Sequence, residues 1–190
     1  MPANGRGSYR FVFELFAGVE EQNRVLLRAA AEDGHSRPLL IVGGSEAFAA
    51  DARRLGFTHV DLIQPAAVPD TIRRARPDSL LLVAAPLADP IVFSNDNPLR
   101  TYVAFPTLPS DRSARAQAAL ASAALFVDAM RRAGRDVCRA SLIDALDTTA
   151  QLRTGFAPLF SFSATHRIGS TGAYIVVIEH GKTEPARWMD

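Results

Sequence analysis

The segment Gly43-Gly44-Ser45 stands between a short apolar run, Leu39 to Val42, and a helical pattern that opens at Glu46. Residue types in that order can do chemistry. Free backbone N–H groups at a helix start attract anions, and a serine there can donate a hydrogen bond. The same residues also make a plain turn, with Ser45 as the helix cap. The segment matches neither the Walker pattern nor Gly-x-Gly-x-x-Gly, so it argues only weakly for a nucleotide. Glu14 and Glu46 are carboxylates that can face an amine or sit solvated on the surface. Tyr9, Phe11, Phe13 and Phe16 cluster at the first strand, either as core or as the wall of a cleft.

The remaining reactive types form no constellation. The four histidines are His35, His59, His166 and His180, and no two have the helical spacing of a metal pair. No Gly-x-Ser-x-Gly elbow occurs. Cys138 is the single cysteine, so an internal disulfide is excluded. Arg135 and Arg139 flank it and can lower its pKa, but no histidine is local to it. These residues predict no catalytic group, no metal and no cofactor.

The elements that must position the glycine–serine segment read clearly. Tyr9 to Phe16 reads as a strand and Glu20 to Asp33 as a helix ended by Gly34, with Val25, Leu26, Ala29 and Ala30 on one face. Glu20 and Arg24 are spaced as an i,i+4 pair. Leu39 to Val42, His59 to Ile63, Ser79 to Ala84 and Arg100 to Phe105 read as strands. Continuous apolar runs are what strands covered on both faces require. Glu46 to Leu55 and Val68 to Ala75 read as helices between them, while Pro86 to Asn97 reads as loop. Strand and helix alternate with short connections, which predicts an open, mainly parallel α/β sheet flanked by helices. In such sheets ligands bind outside the carboxyl ends of the strands. The candidate ligand-binding residues are therefore Glu14, Phe16, Gly43, Gly44, Ser45, Glu46, Ala85 and Phe105.

Asp111 to Ala133 reads as the longest helix, capped by Ser110 or Asp111 and ended by Gly134. Leu120, Ala123, Val127 and Met130 make one apolar stripe, widened by Leu125, Phe126 and Ala129. A stripe that wide predicts burial on more than one side. A shorter helix covers Cys138 to Leu146. Leu159 to Ser163 and Ala173 to Glu179 read as two further strands, too close in sequence to pair other than antiparallel.

Length and composition bound the function classes. The chain has 190 residues, 48% of them hydrophobic, enough for one domain or two small ones with a buried core. A formal net charge of +1 gives no electrostatic case for nucleic acid. No apolar run reaches the roughly 18 residues of a membrane span. Met1 to Ser8 has no apolar stretch, so it is read as a leader and not as a secretory signal.

A resemblance runs through the second half. Arg139 to Leu146 is followed by Thr154-Gly155, then Pro158-Leu159-Phe160-Ser161-Phe162-Ser163, His166-Arg167-x-Gly169, and an apolar strand ending in Gly181-Lys182. Ala119 to Leu146, with Ala133-Gly134-Arg135-Asp136, fits the same pattern. Arg76-Pro77-Asp78 and Tyr9 to Phe13 with Gln22 fit further upstream. In this order the motifs resemble the type I periplasmic binding proteins, the substrate-binding components of branched-chain amino-acid ABC transporters. The resemblance implies two α/β lobes that close on an amino acid or similar small molecule, without catalysis. It also implies a periplasmic setting, although the absence of a signal would make a complete chain cytoplasmic. The family's chains are roughly twice as long. The part without a counterpart here supplies the groups that hold the ligand carboxylate. This chain is thus expected to be a fragment or a reduced homologue.

The expected organisation is a leader at 1–8, a lobe core at 9–109, a helical segment from the interlobe region at 110–150, and C-terminal strands at 151–190. The apolar face of Leu120, Val127 and Met130 then needs a cover, either a second copy or a missing partner lobe. Two alternatives stand beside the ligand-binding reading. One is a structural or oligomerisation module of the same fold with no small ligand. The other is a nucleotide- or flavin-binding enzyme using Gly43 to Ser45.

Overall fold

The computed structural model describes residues 12–34, 37–110 and 113–190. These residues form two compact units: 12–17 with 110 and 113–171, and 18–34 and 37–109 with 172–190.

The larger unit is built on a seven-stranded sheet. Helix α1 (Val19–Glu32) leads into β2 (Leu39–Val42), then α2 (Glu46–Arg54), β3 (Val60–Ile63), α3 (Val68–Arg74), β4 (Leu80–Ala84) and β5 (Arg100–Phe105). The chain returns to it as β7 (Ala173–Glu179), β8 (Lys182–Thr183) and β9 (Arg187–Met189). The strand order is β3-β2-β4-β5-β7-β8, with β9 also on β7. The pairs β2–β3, β2–β4 and β4–β5 are parallel. β5 and β7 are antiparallel, as are β7 with β8 and β7 with β9.

Residue type explains the layers. Every residue of β2 and β4 is buried, as strands with both faces covered must be. Leu39, Ile41, Leu80, Leu82, Tyr102 and Ile175 face one way, against Val25, Leu26 and Ala29 of α1 and Phe48 and Ala52 of α2. Leu40, Val42, Leu81, Val83, Val103 and Val176 alternate to the other side, against Val68 and Ile72 of α3. The segment read as loop carries two 3-10 turns, Ala85–Leu87 and Pro90–Phe93. Asp89 caps the second by accepting from the Ile91 N–H at 3.0 Å. Asn97, 1% exposed, donates to the Val92 carbonyl at 3.0 Å and to Thr101 at 2.9 Å. This turn places Val92 in the core where a helix would otherwise lie.

The smaller unit holds β1 (Glu14–Phe16) and β6 (Ile168–Ser170), a parallel pair, with α4 (Ala114–Ala133) and α5 (Arg139–Asp147). Tyr9 and Phe11 of the expected first strand, Asp111 at the expected helix start, and His35 lie outside the described residues. Ser113 caps α4, accepting from the Ala116 N–H at 3.2 Å. Gly134, at φ 84°, ends it. Cys138 and Ser141 form the cap of α5. Arg132 of α4 ties the two helices: it pairs with Asp128 at 2.8 Å, donates to the Ala145 carbonyl of α5, and reaches Thr149 Oγ1 just beyond it at 2.6 Å. Arg167 pairs with Asp147 and lies 4.4 Å over the Phe13 ring.

Two expectations are corrected. Leu159 to Ser163 is not a strand; it makes only isolated bridges, Leu152 with Phe160 and Ser163 with His166. Phe160 and Phe162 are instead core side chains packed with Ala121 and Leu125. β7 therefore finds its antiparallel partners in β5, β8 and β9. The buried stripe of α4 is also not the one expected. Gln117, Ala121, Leu125 and Ala129 are buried, while Leu120 and Val127 are 39% and 46% exposed.

Candidate functional site

Within the larger unit, α1 and α2 both run back from the carboxyl ends of the strands and cover the same sheet face. Their N-termini meet beside the end of β2 and enclose a cavity of about 260 Å³. Val19, Glu20 and Asn23 from the first turns of α1, Gly43 and Ser45 from the β2–α2 turn, and Phe48 of α2 line it. Ligand pockets for drug-sized molecules run from ~300 to 1,000 Å³, so this one suits something smaller.

The local sequence builds this cavity for identifiable reasons. Gly43 takes φ 67°, and its N–H donates to the Ile63 carbonyl at 2.9 Å. A Cβ on Gly43 would lie 2.5 Å from Leu87 Cδ1. The turn after β4 thus closes on Gly43, and the cavity lies on the α1 side of the β2–α2 turn. Ser45 is extended (φ −103°, ψ 164°) and caps α2 through its carbonyl, which accepts from Phe48 and Ala49 at 2.9 and 3.1 Å. Its hydroxyl makes no capping bond. An α-helix leaves its first N–H groups without internal partners, so those of Glu46 and Ala47 point out of the helix start. Gly18 starts α1 and brings no side-chain cap.

Asn23 is the unusual residue. It is 1% exposed, and its Oδ1 has no hydrogen-bond partner. A buried acceptor without a donor costs about 1–3 kcal/mol. The site therefore combines N–H donors and a hydroxyl from α2 with an amide and the Glu20 carboxylate from α1. Glu20 is surface-exposed and reaches Arg24 at 3.5 Å, the expected i,i+4 pair. Such a cavity can hold a small anionic group at its α2 wall.

Of the residues expected at a site, the fold brings Gly43 and Ser45 into this cavity, and Glu46 stands as the first residue of α2. Gly44 packs on the other side of the turn, its Cβ position 2.9 Å from Ile41 and 3.0 Å from Leu62. Ala85 opens a 3-10 turn, and the Phe105 ring lies 6.5 Å from Phe93. Glu14 and Phe16 belong to the smaller unit, where Phe16 packs 5.6 Å from Phe160. Asn23 was not anticipated. The signal was present, because Asn23 shares a helical face with Leu26, Leu27 and Ala30, all buried.

A second polar group sits at the amino ends of the strands. Tyr102 donates to Asp33 Oδ2 at 2.5 Å. Arg100 joins Glu179 at 2.8 Å, Glu184 at 3.2 Å and Asp33 at 3.2 Å. Burial, then the bond to Asp33, pushes the Tyr102 hydroxyl from 10.0 up to about 12. Burial alone would raise Asp33, but the bonds from Tyr102 and Arg100 hold it below the usual carboxylate range. Asp33 follows the last residue of α1, a helix-length of roughly 20 Å from Val19. This cluster ties α1 to the sheet and is remote from the cavity.

Among the described residues no reactive constellation accompanies either group. His59 Nδ1 lies 3.0 Å from Thr58 Oγ1, and His180 occupies the β7–β8 turn at φ 49°. The Cys138 thiol is lowered by the N–H and hydroxyl of Ser141, its partners in the helix cap. Among the described residues no group of His, Cys, Asp and Glu is placed to hold a metal ion, and no helix is long and apolar enough to cross a membrane.

No family model and no curated relative matches the sequence. Solved structures do match. A branched-chain amino-acid ABC transporter protein from Thermus thermophilus, with bound valine, superposes with a TM-score of 0.61 at 16% identity, covering 93% of this chain and 66% of its own. An extracellular ligand-binding receptor from Rhodopseudomonas palustris HaA2 gives 0.61 at 14% identity, covering 94% and 70%. The fold is that of the type I periplasmic binding proteins. A protein from the Pseudomonas fluorescens group, described as an ABC transporter permease, gives 0.57 at 12% identity, covering 93% and 63%. The chain spans about two thirds of the length of these structures. Within the type I periplasmic-binding fold, the mainly parallel sheet and its antiparallel C-terminal strands are those expected from the sequence.

Proposed function

We propose that this chain is the ligand-holding part of a non-catalytic small-molecule-binding protein that serves an ABC importer. The observation that carries this is the cavity between the N-termini of α1 and α2, with Gly43 and Ser45 in its wall. Its ligand is a small amino acid or carboxylate; although the resemblance puts the carboxylate on the part without a counterpart here, in this reading the α2 start, with the N–H groups of Glu46 and Ala47 and the Ser45 hydroxyl, takes the anionic group instead. The bound valine of the Thermus structure supports that choice. A periplasmic setting belongs to the same proposal. Calorimetry and thermal shift against a panel of amino acids and short carboxylic acids test it. Saturable binding weakened by Ser45→Ala is the expected result, and a flat response across the panel refutes it.

A second reading is favoured by α4. Ala116, Ala119, Leu120, Ala123, Phe126 and Val127 lie opposite its buried stripe, and all are exposed. Phe126 is 53% exposed. A helix apolar on both sides is normally buried on both. In this reading a second copy of the chain covers the face. Sedimentation that gives a monomer at high concentration excludes it.

A further inference from the structure

We propose that the groove between α3 and the free edge of β3 binds an extended segment of a partner protein, whose carboxylates lie at the end held by Arg74 and Arg76. The ligand cavity plays no part in this inference. β3 stands at the end of the sheet, with β2 as its strand neighbour among the described residues. At the opposite end the edge is divided between β8, of two residues, and β9, of three. β3, of four, is the longer edge. Its bonding side is fixed by the ladder: the Leu39 N–H donates to the His59 carbonyl, and the Gly43 N–H to the Ile63 carbonyl. Alternate residues of a strand turn their backbone groups to opposite sides. His59, Asp61 and Ile63 therefore bond β2, and the N–H and C=O groups of Val60 and Leu62 point away from the sheet as an open template.

A groove of about 760 Å³ runs beside this edge, lined by Leu40, Asp61 and Ile63 of the sheet and by Ala67 and Thr71 on the α3 side. It exists because α3 is seated on β2 and β4, where Val68 and Ile72 join Leu40, Val42, Leu81 and Val83. The same face of β3 is left partly bare. Arg74 and Arg76 also line the groove, at the amino end of β3, because α3 runs back along the sheet before β4 begins. The ion pair of α3 uses Arg73 with Asp70 at 2.8 Å. Arg74 and Arg76, both exposed, have no carboxylate partner among the described residues. A peptide strand that bonds Val60 and Leu62 extends the sheet, and four residues of β3 give it roughly 13 Å of pairing. Running antiparallel, it brings its carboxyl end to the two arginines, where acidic side chains or the terminal carboxylate pair with them. Asp61, midway along, favours a cation or a hydroxyl opposite it. Two other occupants do not fit this charge. A second copy pairing its own β3 about a two-fold axis brings the stretch Ile63 to Ala67 to the arginines, and that stretch has no carboxylate. The stretch Met1 to Arg10 carries Arg6 and Arg10 and no acidic residue.

The test selects binders to the full chain from a display library of random short peptides with free carboxyl ends. The selected sequences are then synthesised and measured by fluorescence anisotropy. Enrichment of acidic residues at the last positions is expected, with β-branched residues before them and affinity that falls as salt is added. Arg74→Glu combined with Arg76→Glu should weaken these peptides roughly tenfold, and a repeated selection on that variant should turn to basic ends. Val60→Pro removes an outward N–H, spares the ladder to β2, and should abolish binding. N-methylation of the peptide backbone at alternate positions asks the same question without altering the protein: one of the two alternations should abolish binding and the other leave it. No enrichment, enrichment without acidic ends, or binding indifferent to both N-methylated series overturns the proposal. So does displacement of the selected peptides by L-valine, which would put them in the α1–α2 cavity. Sedimentation that shows a dimer lost in Val60→Pro overturns it as well, since a second copy would then occupy the edge.

Discussion

Tyr102→Phe gives the sharpest test of how the larger unit is held together. Tyr102 is fully buried in β5, and its hydroxyl donates to Asp33 at 2.5 Å while accepting from Arg100 Nε at 3.2 Å. Phenylalanine keeps the ring and removes both bonds. A hydrogen bond to a charged group contributes about 1.5–3 kcal/mol. Asp33 keeps its contact with Arg100 at 3.2 Å, so the loss stays near that single-bond range. For a chain of this size each kcal/mol moves Tm by about 2–4 °C, which puts the expected fall at roughly 3–12 °C near neutral pH. The pH dependence has two arms. Asp33 is held below its ordinary value, so its contribution is present above the unfolded carboxyl pKa and is lost as pH falls through the lower folded one. The gap between Tyr102→Phe and the parent should therefore narrow below about pH 4. Tyr102 itself is raised from 10.0 to about 12. Its contribution is complete below 10 and drains as pH rises through about 12, on the order of 3 kcal/mol at most. Circular-dichroism melts across pH, with ultraviolet titration of the tyrosines, measure both arms. A Tm change below about 1 °C at pH 7, or a gap that widens on acidification, would refute the role given to this cluster.

Three further outcomes are expected. Gly43→Ala forces a Cβ to 2.5 Å from Leu87 Cδ1 at φ 67°; the strained backbone should cost about 1–3 kcal/mol in chemical denaturation and weaken ligand binding. Ser45→Ala should leave stability within about 0.5 kcal/mol, because the hydroxyl makes no capping bond, while calorimetry shows weaker binding. Phe160→Ala removes a fully buried ring from the core of the smaller unit and should cost about 3–5 kcal/mol, read as early loss of the near-ultraviolet signal.

The architecture was legible where burial is symmetric. Leu39 to Val42 and Leu80 to Ala84 read as doubly covered strands because nothing polar interrupts them, and every residue of both is buried. The tail was less legible. Leu159 to Ser163 alternates like a strand, yet its aromatic residues pack as side chains under α4 and its backbone makes only single bridges. Alternation reports which side chains turn inward and says nothing about whether a neighbouring strand is there to bond. The long helix shows the same gap. With apolar residues all around α4, periodicity could not choose between the Leu120–Val127 stripe and the Ala121–Leu125 stripe. The decision came from Phe160 and Phe162, some forty residues later in the chain.

The candidate site shows why turns are found more easily than their partners. Gly43 to Ser45 is a local signal, carried by glycine freedom and a serine before a helix. Its other wall comes from α1, and no local pattern says that the first turn of one helix meets the first turn of the next. Asn23 carried the missing information as a contradiction: a polar residue on a face otherwise made of Leu26, Leu27 and Ala30. Such a residue persists in a core only if it is paired or if something outside the chain pairs it. The polar residue at the amino end of the sheet went the first way, because Tyr102 found Asp33. Asn23 has no such partner for its Oδ1, and its backbone turn lies beside the cavity between two helix starts.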